Sequence, residues 1–132
     1  MDDIFDSKEI IEIRDEPTWE KLVNQADKPV MVEFFVTWCP HCQREAPIID
    51  GIARQIKESG VDLYHANAEV MYMMGAVYDL EETPSFILVE NGELKAKHEG
   101  FLTEDELIAF SQGQIGALPP TKDPDKCSRA FK

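Results

Sequence analysis

The chain has 132 residues, 43% apolar and 30% charged, which suits one soluble domain with a single core and is too short for two. Twenty-six acidic against 13 basic side chains give a formal net charge of −13, which argues against nucleic-acid or anionic-membrane partners, since both are polyanions. No apolar run approaches the roughly 20 residues of a membrane-spanning helix, and three cysteines are too few and too odd for a disulfide scaffold, which leaves catalysis or metal binding.

Taken in order, residues 1–9 read as a loose acidic N-terminal extension, 10–116 as the domain and 117–132 as a flexible C-terminal tail rich in proline and mixed charge. Met1–Phe5 lacks the basic segment and apolar core of a secretion signal, so a cytoplasmic protein is expected from the sequence as it stands. Ile11 and Ile13 alternate with Glu12 and Arg14, as in a short strand. Asp15-Glu16-Pro17 then opens a helix, with proline where its missing N–H costs nothing. Trp19, Leu22 and Val23 form its inward stripe, and Lys28-Pro29 ends it.

Val30–Val36 is an apolar run broken only by Glu33, the pattern of a strand buried on both faces. It delivers Cys39 and Cys42 through Thr37-Trp38 into a helix whose stripe is Ile49, Ile52, Ala53 and Ile56, ending at Gly60. Pro47, inside that helix, is expected to kink it. Cys39 falls at the helix start, where unpaired N–H groups and the dipole favour a thiolate. An exposed low-pKa cysteine with a second one a turn away suits thiol–disulfide exchange.

Val61–Asn67 reads as a third strand. Val70, Met73, Met74 and Val77 recur at helical spacing and are expected in the core, the alternative being a methionine-rich binding surface. Phe86–Val89, Asn91-Gly92 and Glu93–Lys97 form a hairpin with a strong turn signal. Thr103-Glu104-Asp105-Glu106 is a capping box opening a last helix, with Leu107, Ile108 and Phe110 inward. The order β-α-β-α-β-α-β-β-α implies an α/β protein with parallel strands, helical crossovers and an antiparallel hairpin edge.

Over roughly Ile10 to Ile115 these residues resemble the thioredoxin family. The resemblance rests on Trp38-Cys39-Pro40-His41-Cys42, Pro47 five residues beyond the second cysteine, Thr83-Pro84 before a strand, and Gly100 after the hairpin. It implies a central mixed β-sheet flanked by helices on both faces. It implies a cis Thr83-Pro84 peptide that offers its backbone to a substrate strand, with Thr83, Pro84 and Gly100 as substrate-binding residues. Cys39 would be the attacking thiolate and Cys42 the resolving thiol. The implied partners are disulfide-containing protein substrates and a reductase or other thiol electron donor, for a monomer without cofactor or metal, nucleic acid or membrane.

Departures from the family pattern carry information too. Between the cysteines stands Pro40-His41 instead of Gly-Pro, the pair of a strongly oxidising periplasmic relative. His41 can stabilise the Cys39 thiolate and so make the disulfide a stronger oxidant; a merely solvated His41 is the alternative. Glu33 stands where the family carries a buried Asp. Desolvation there raises its pKa, so that it can take the Cys42 proton, unless the longer side chain snorkels to water. The lysine that partners this carboxylate is Leu63 here, leaving no cation to offset burial. Glu81-Glu82, before Thr83-Pro84, place a negative rim where the family has a basic and a small residue.

Cys127 reads as an incidental exposed thiol of the tail, with an intermolecular or regulatory disulfide as the alternative. His65 and His98 read as isolated structural or solvated residues. Two functions compete with disulfide exchange. One is a zinc-binding module using Cys39, Cys42, Cys127 and a histidine; the other is a redox-inactive interaction domain.

Overall fold

In chain order the elements are Ile11–Glu12 (β1), Glu16–Trp19 (α1, prolonged by a π-helical turn over Glu20–Asn24), Val30–Phe35 (β2), Pro40–Glu58 (α2), Asp62–Asn67 (β3), Met73–Tyr78 (α3), Glu82–Thr83 (β4), Ser85–Glu90 (β5), Glu93–Glu99 (β6), Glu104–Ser111 (α4) and Cys127–Ser128 (β7). They come from a computed structural model that describes residues 4–7, 9–114, 116, 127–128 and 131. The main sheet has the order β1-β3-β2-β5-β6. β1, β3 and β2 run parallel, whereas β5 is antiparallel to β2 and β6 to β5. This is the α/β class expected, a mixed sheet with helices on both faces.

β2 is central because all six of its residues are apolar or can be buried, and all six are buried. Period-two alternation sends its side chains to opposite layers. Met31 joins Ile49, Ile52, Ile56 of α2 and Leu107, Phe110 of α4. Val30, Val32 and Phe34 join Trp19, Met74 and Tyr78 on the other face. Glu33 therefore points to the α2 side, into a fully enclosed position.

The local signals act as the sequence implies at several ends. Asp15 caps α1 by accepting from the Thr18 N–H at 2.8 Å. Thr103 and Glu106 form the reciprocal capping box of α4, an arrangement worth about 1 kcal/mol. Asn91 and Gly92 both take positive φ, 54° and 77°, as a two-residue hairpin turn demands. α2 continues without interruption past Pro47, which lies on its exposed side.

One expectation is corrected, and contacts are seen in both terminal segments. In α3 and the turn before it the buried residues are Met71, Met74, Gly75 and Tyr78, while Val70, Met73 and Val77 are exposed by 37%, 56% and 64%. The helix begins only at Met73, so a stripe counted from Val70 is out of phase with it. The N-terminal segment is tied down where it is described. Phe5 stacks on His65 with ring centroids 3.6 Å apart and meets Phe35 edge-on, and the Asp6 N–H donates to Asp50. In the C-terminal tail, β7 pairs antiparallel with β4, with Thr83 opposite Cys127 and Glu82 opposite Ser128. An aromatic ring in each polar segment finds apolar surface to cover, Phe5 at one end and Phe131 at the other. Residues 117–126, 129–130 and 132 lie outside the described part of the tail.

Candidate active site at the start of α2

Cys39 is the N-cap of α2, in extended conformation (φ −88°, ψ 121°), and Pro40 takes the first helical position. A buried strand followed by a proline-opened helix thus fixes the sulfur over the helix N-terminus. Trp38, beside it, is half-exposed and donates its indole N–H to Glu69 at 3.1 Å. His41 is half-buried in the first turn, and Cys42 is fully buried behind Cys39.

The Thr83-Pro84 peptide is cis. The Thr83 carbonyl oxygen lies 3.9 Å from the Cys39 sulfur. Gly100, at φ 121°, a region that favours glycine, donates its N–H to the Pro84 carbonyl at 2.7 Å. Two neighbours fix the same loop: Arg44 lies over the Phe101 ring at 3.9 Å, and the Leu102 N–H donates to Glu45 at 2.8 Å. The residues singled out from the sequence, Cys39, Cys42, Trp38, Pro40, His41, Thr83, Pro84 and Gly100, thus gather at one end of the sheet.

The cysteine pairing departs from expectation. Cys39 is joined by a disulfide to Cys127, with Cα atoms 6.1 Å apart, and Cys42 is a free thiol. Cys127 is therefore no incidental exposed thiol. The β4–β7 pairing brings it across from Thr83 and onto the neighbouring Cys39 sulfur. For the same reason Cys39 is enclosed rather than exposed in this state. Cys39 and Cys127 are bonded to each other, so the ligand set of a zinc module is not open here. Among the described residues no group of three or more His, Cys, Asp or Glu is placed to hold a metal.

Burial pushes the Cys42 thiol up to about 12; the polar groups of the Val36 backbone and the Thr83 side chain pull it down, and the Glu33 and Glu45 charges push it further up. A thiol so placed is inert until its proton has somewhere to go.

Glu33 has no exposure, so it does not snorkel. Desolvation, with the Asp50 charge beside it, holds its pKa well above the usual carboxylate range. Its Oε1 lies 3.1 Å from Nε2 of buried His65. His65 is thus neither isolated nor solvated. The parallel register sets Glu33 opposite His65 and Met31 opposite Leu63, so the family's lysine position is filled by an apolar residue while the next inward position of β3 supplies a histidine.

Glu45 escaped the sequence reading. It is buried, with its pKa pushed up to about 9, by burial first and by the Glu33 charge next. The signal was present, since Glu45 lies three residues past Cys42 and four before Ile49 on the inward stripe of α2.

A mixed sheet that brings a cysteine pair to a helix start beside a cis-proline loop defines a protein of the thioredoxin fold class. Residues 10–112 match the thioredoxin family model. The chain is 33% identical over 102 residues to chloroplastic thioredoxin Y1 of Arabidopsis thaliana, covering 77% of this chain and 59% of that one. It is 28% identical over 109 residues to the thioredoxin of Pseudomonas aeruginosa, covering 83% of this chain and 99% of that one. A solved mutant thioredoxin from Halobacterium salinarum shares the fold, with a TM-score of 0.70 at 18% identity over 86% of this chain and 98% of that one. The chain belongs to the thioredoxin family. It spans 59% and 54% of the lengths of the plant Y1 and Y2 relatives that it matches.

Proposed function

We propose that the protein is a thiol–disulfide oxidoreductase acting on protein disulfides, with Cys39 as nucleophile and Cys42 as resolving thiol, and that it is more oxidising than a typical thioredoxin. The observation that carries this reading is the bond at Cys39. A cysteine borne on a strand antiparallel to Glu82–Thr83 is in disulfide linkage with it, as an extended substrate would be.

In the reductive direction the Cys39 thiolate attacks one sulfur of a substrate disulfide and the other leaves as a thiolate, forming a mixed disulfide. The Cys42 thiol then gives its proton to the ionised fraction of Glu33 and attacks Cys39 Sγ. The Cys39–Cys42 bond forms and the second substrate thiolate departs. The two electrons come from Cys39 and Cys42, and a reductase or other thiol donor restores them. The same steps in reverse oxidise a dithiol. The raised Glu33 pKa makes its carboxylate a better proton acceptor than an ordinary one once ionised, and His65 stands where that proton can be passed on.

The oxidising tendency rests on Pro40-His41 at the helix start, where a polar or cationic ring favours the Cys39 thiolate and hence the reduced form. Glu81 and Glu82 both donate backbone N–H groups to one Glu99 oxygen, so three acidic residues meet at β4. Such a rim selects neutral or basic partner surfaces chiefly through association rate. The setting this reading assumes is a monomer in the cytoplasm.

Insulin reduction by the wild-type chain with an added dithiol tests the activity; no acceleration over the dithiol alone would sink it. Redox equilibration with glutathione in a Cys127→Ser background tests the tuning. The Cys39/Cys42 couple is expected above the roughly −270 mV of thioredoxin, and His41→Pro is expected to lower it by tens of millivolts, about 1.4 kcal/mol per 30 mV. An unchanged potential would make His41 a tolerated turn residue.

A further inference from the structure

Cys127 does more than touch the site, because three independent features seat its segment there. β7 continues the backbone pairing of β4, in the groove beside the cis peptide. Cys127 is bonded to the cysteine at the helix start, 88 residues away in sequence. Four residues further on, Phe131 packs edge-on against Phe34, with ring centroids 5.3 Å apart, and borders both the α3-side core and the cluster of Phe35, Val36, Cys39, Cys42 and Ala68. Phe131 lies so close to α3 that a Cβ on Gly75 would come within 2.9 Å of three of its side-chain carbons.

We propose that Cys127 is a third redox residue of this site and that its segment is a tethered substrate strand, held on Cys39 by an internal mixed disulfide and released by Cys42. The inference rests on the reading of Cys39 as nucleophile and Cys42 as resolving thiol. It also indicates what the groove takes from a partner: an extended strand with a cysteine opposite Thr83 and a large apolar residue four positions on.

The exchange balances without any outside oxidant. Cys42 loses its proton and attacks Cys39 Sγ; the Cys39–Cys127 bond breaks, the Cys39–Cys42 bond forms, and Cys127 leaves as a thiolate that takes up one proton. Each isomer holds one disulfide and one thiol, so the oxidation level is unchanged. The isomer with Cys127 on Cys39 has its groove filled. A dithiol substrate can be oxidised only after Cys42 has expelled the strand, so the two isomers set the fraction of oxidised protein open to partners.

A static staple would join the same two sulfurs but would not exchange, and disulfide mapping separates the two. Cys39 and Cys42 share the tryptic peptide ending at Arg44, whereas Cys127 lies in the one ending at Arg129. Wild-type protein oxidised by one equivalent of disulfide, acid-quenched and alkylated should carry Cys127 linked to Cys39 within one chain, with Cys42 alkylated. Isomers separated by chromatography and returned to pH 8 should reach a common ratio from either side. Phe131→Ala, which removes the anchor, and Gly75→Ala, which crowds it, should each shift that ratio at least tenfold towards Cys39–Cys42.

The proposal is overturned if oxidised wild-type protein contains only Cys39–Cys42, if Cys127 links two chains, if the isolated isomers do not interconvert, or if both variants leave the ratio unchanged. Insulin reduction by the same wild-type sample reads the oxidoreductase assignment separately, so either can fail alone.

Discussion

Glu33 and His65 face each other across β2 and β3, with Oε1 and Nε2 3.1 Å apart and both side chains shut off from water. This pair lies on the α2 side of the sheet, and the Glu33 charge acts on Cys42, so the thiol that must lose a proton has a carboxyl and an imidazole beneath it. Phe5 covers the imidazole face and closes the pair from the N-terminal side.

Replacing Glu33 by Gln should slow the second step and spare the first. Gln fills the same volume and cannot take a proton, so release of a mixed disulfide should fall by about 10²-fold, within the range of general-base effects. The initial attack by Cys39 should proceed at nearly the parent rate. Rapid-quench measurement of the two steps in a Cys127→Ser background separates them. Equal slowing of both would place Glu33 in packing rather than in proton transfer.

Glu45 makes stability depend on pH. Its folded pKa of about 9 lies above the value near 4.5 expected of the unfolded chain. The folded state therefore keeps a proton that the unfolded state has lost. This contribution is complete below pH 4.5 and declines as pH rises towards 9, because the unfolded state binds fewer protons. Glu45→Gln keeps an acceptor for the Leu102 N–H and does not ionise. The loss of stability between pH 5 and 8.5, read by urea unfolding, should be smaller in the variant by about 4 kcal/mol. Parallel curves would contradict the assignment.

Cys42 should resist alkylation while Cys127 occupies Cys39. With its thiol pushed up to about 12 and buried, the thiolate fraction at pH 8 is far below that of an ordinary cysteine with a pKa near 8.5. Timed iodoacetamide labelling followed by peptide mass analysis should show at least a hundredfold slower reaction than for a model thiol, by roughly that difference in thiolate fraction. A rate within a factor of ten would mean that Cys42 is open to solvent.

Much of the fold was legible because its signals are local. The uninterrupted β2 run, the Asp15 and Thr103 caps and the Asn91-Gly92 turn each specify their own geometry. What depends on distant partners was not legible. His65 becomes a partner of Glu33 only through the β2–β3 register, and Phe5 gains apolar surface only by folding back. Cys127 was read as an incidental thiol because proline and charge dominate its segment. A two-residue strand and one ring four residues on leave almost no periodic trace. Glu45 was missed because a carboxylate on an apolar stripe reads as surface unless a donor such as the Leu102 N–H is known.

The account turns on Cys39 being the residue that bonds substrate. Cys42→Ser alone is a poor trap, since Cys127 stands ready to displace a bound partner. The direct measurement uses Cys42→Ser combined with Cys127→Ser, mixed with a protein disulfide and analysed intact by mass spectrometry under non-reducing conditions. The expected result is a stable one-to-one adduct mapped to Cys39, released by added dithiol and missing when Cys39 is also changed to Ser. No adduct at Cys39 under conditions where the parent reduces the same substrate would contradict the account.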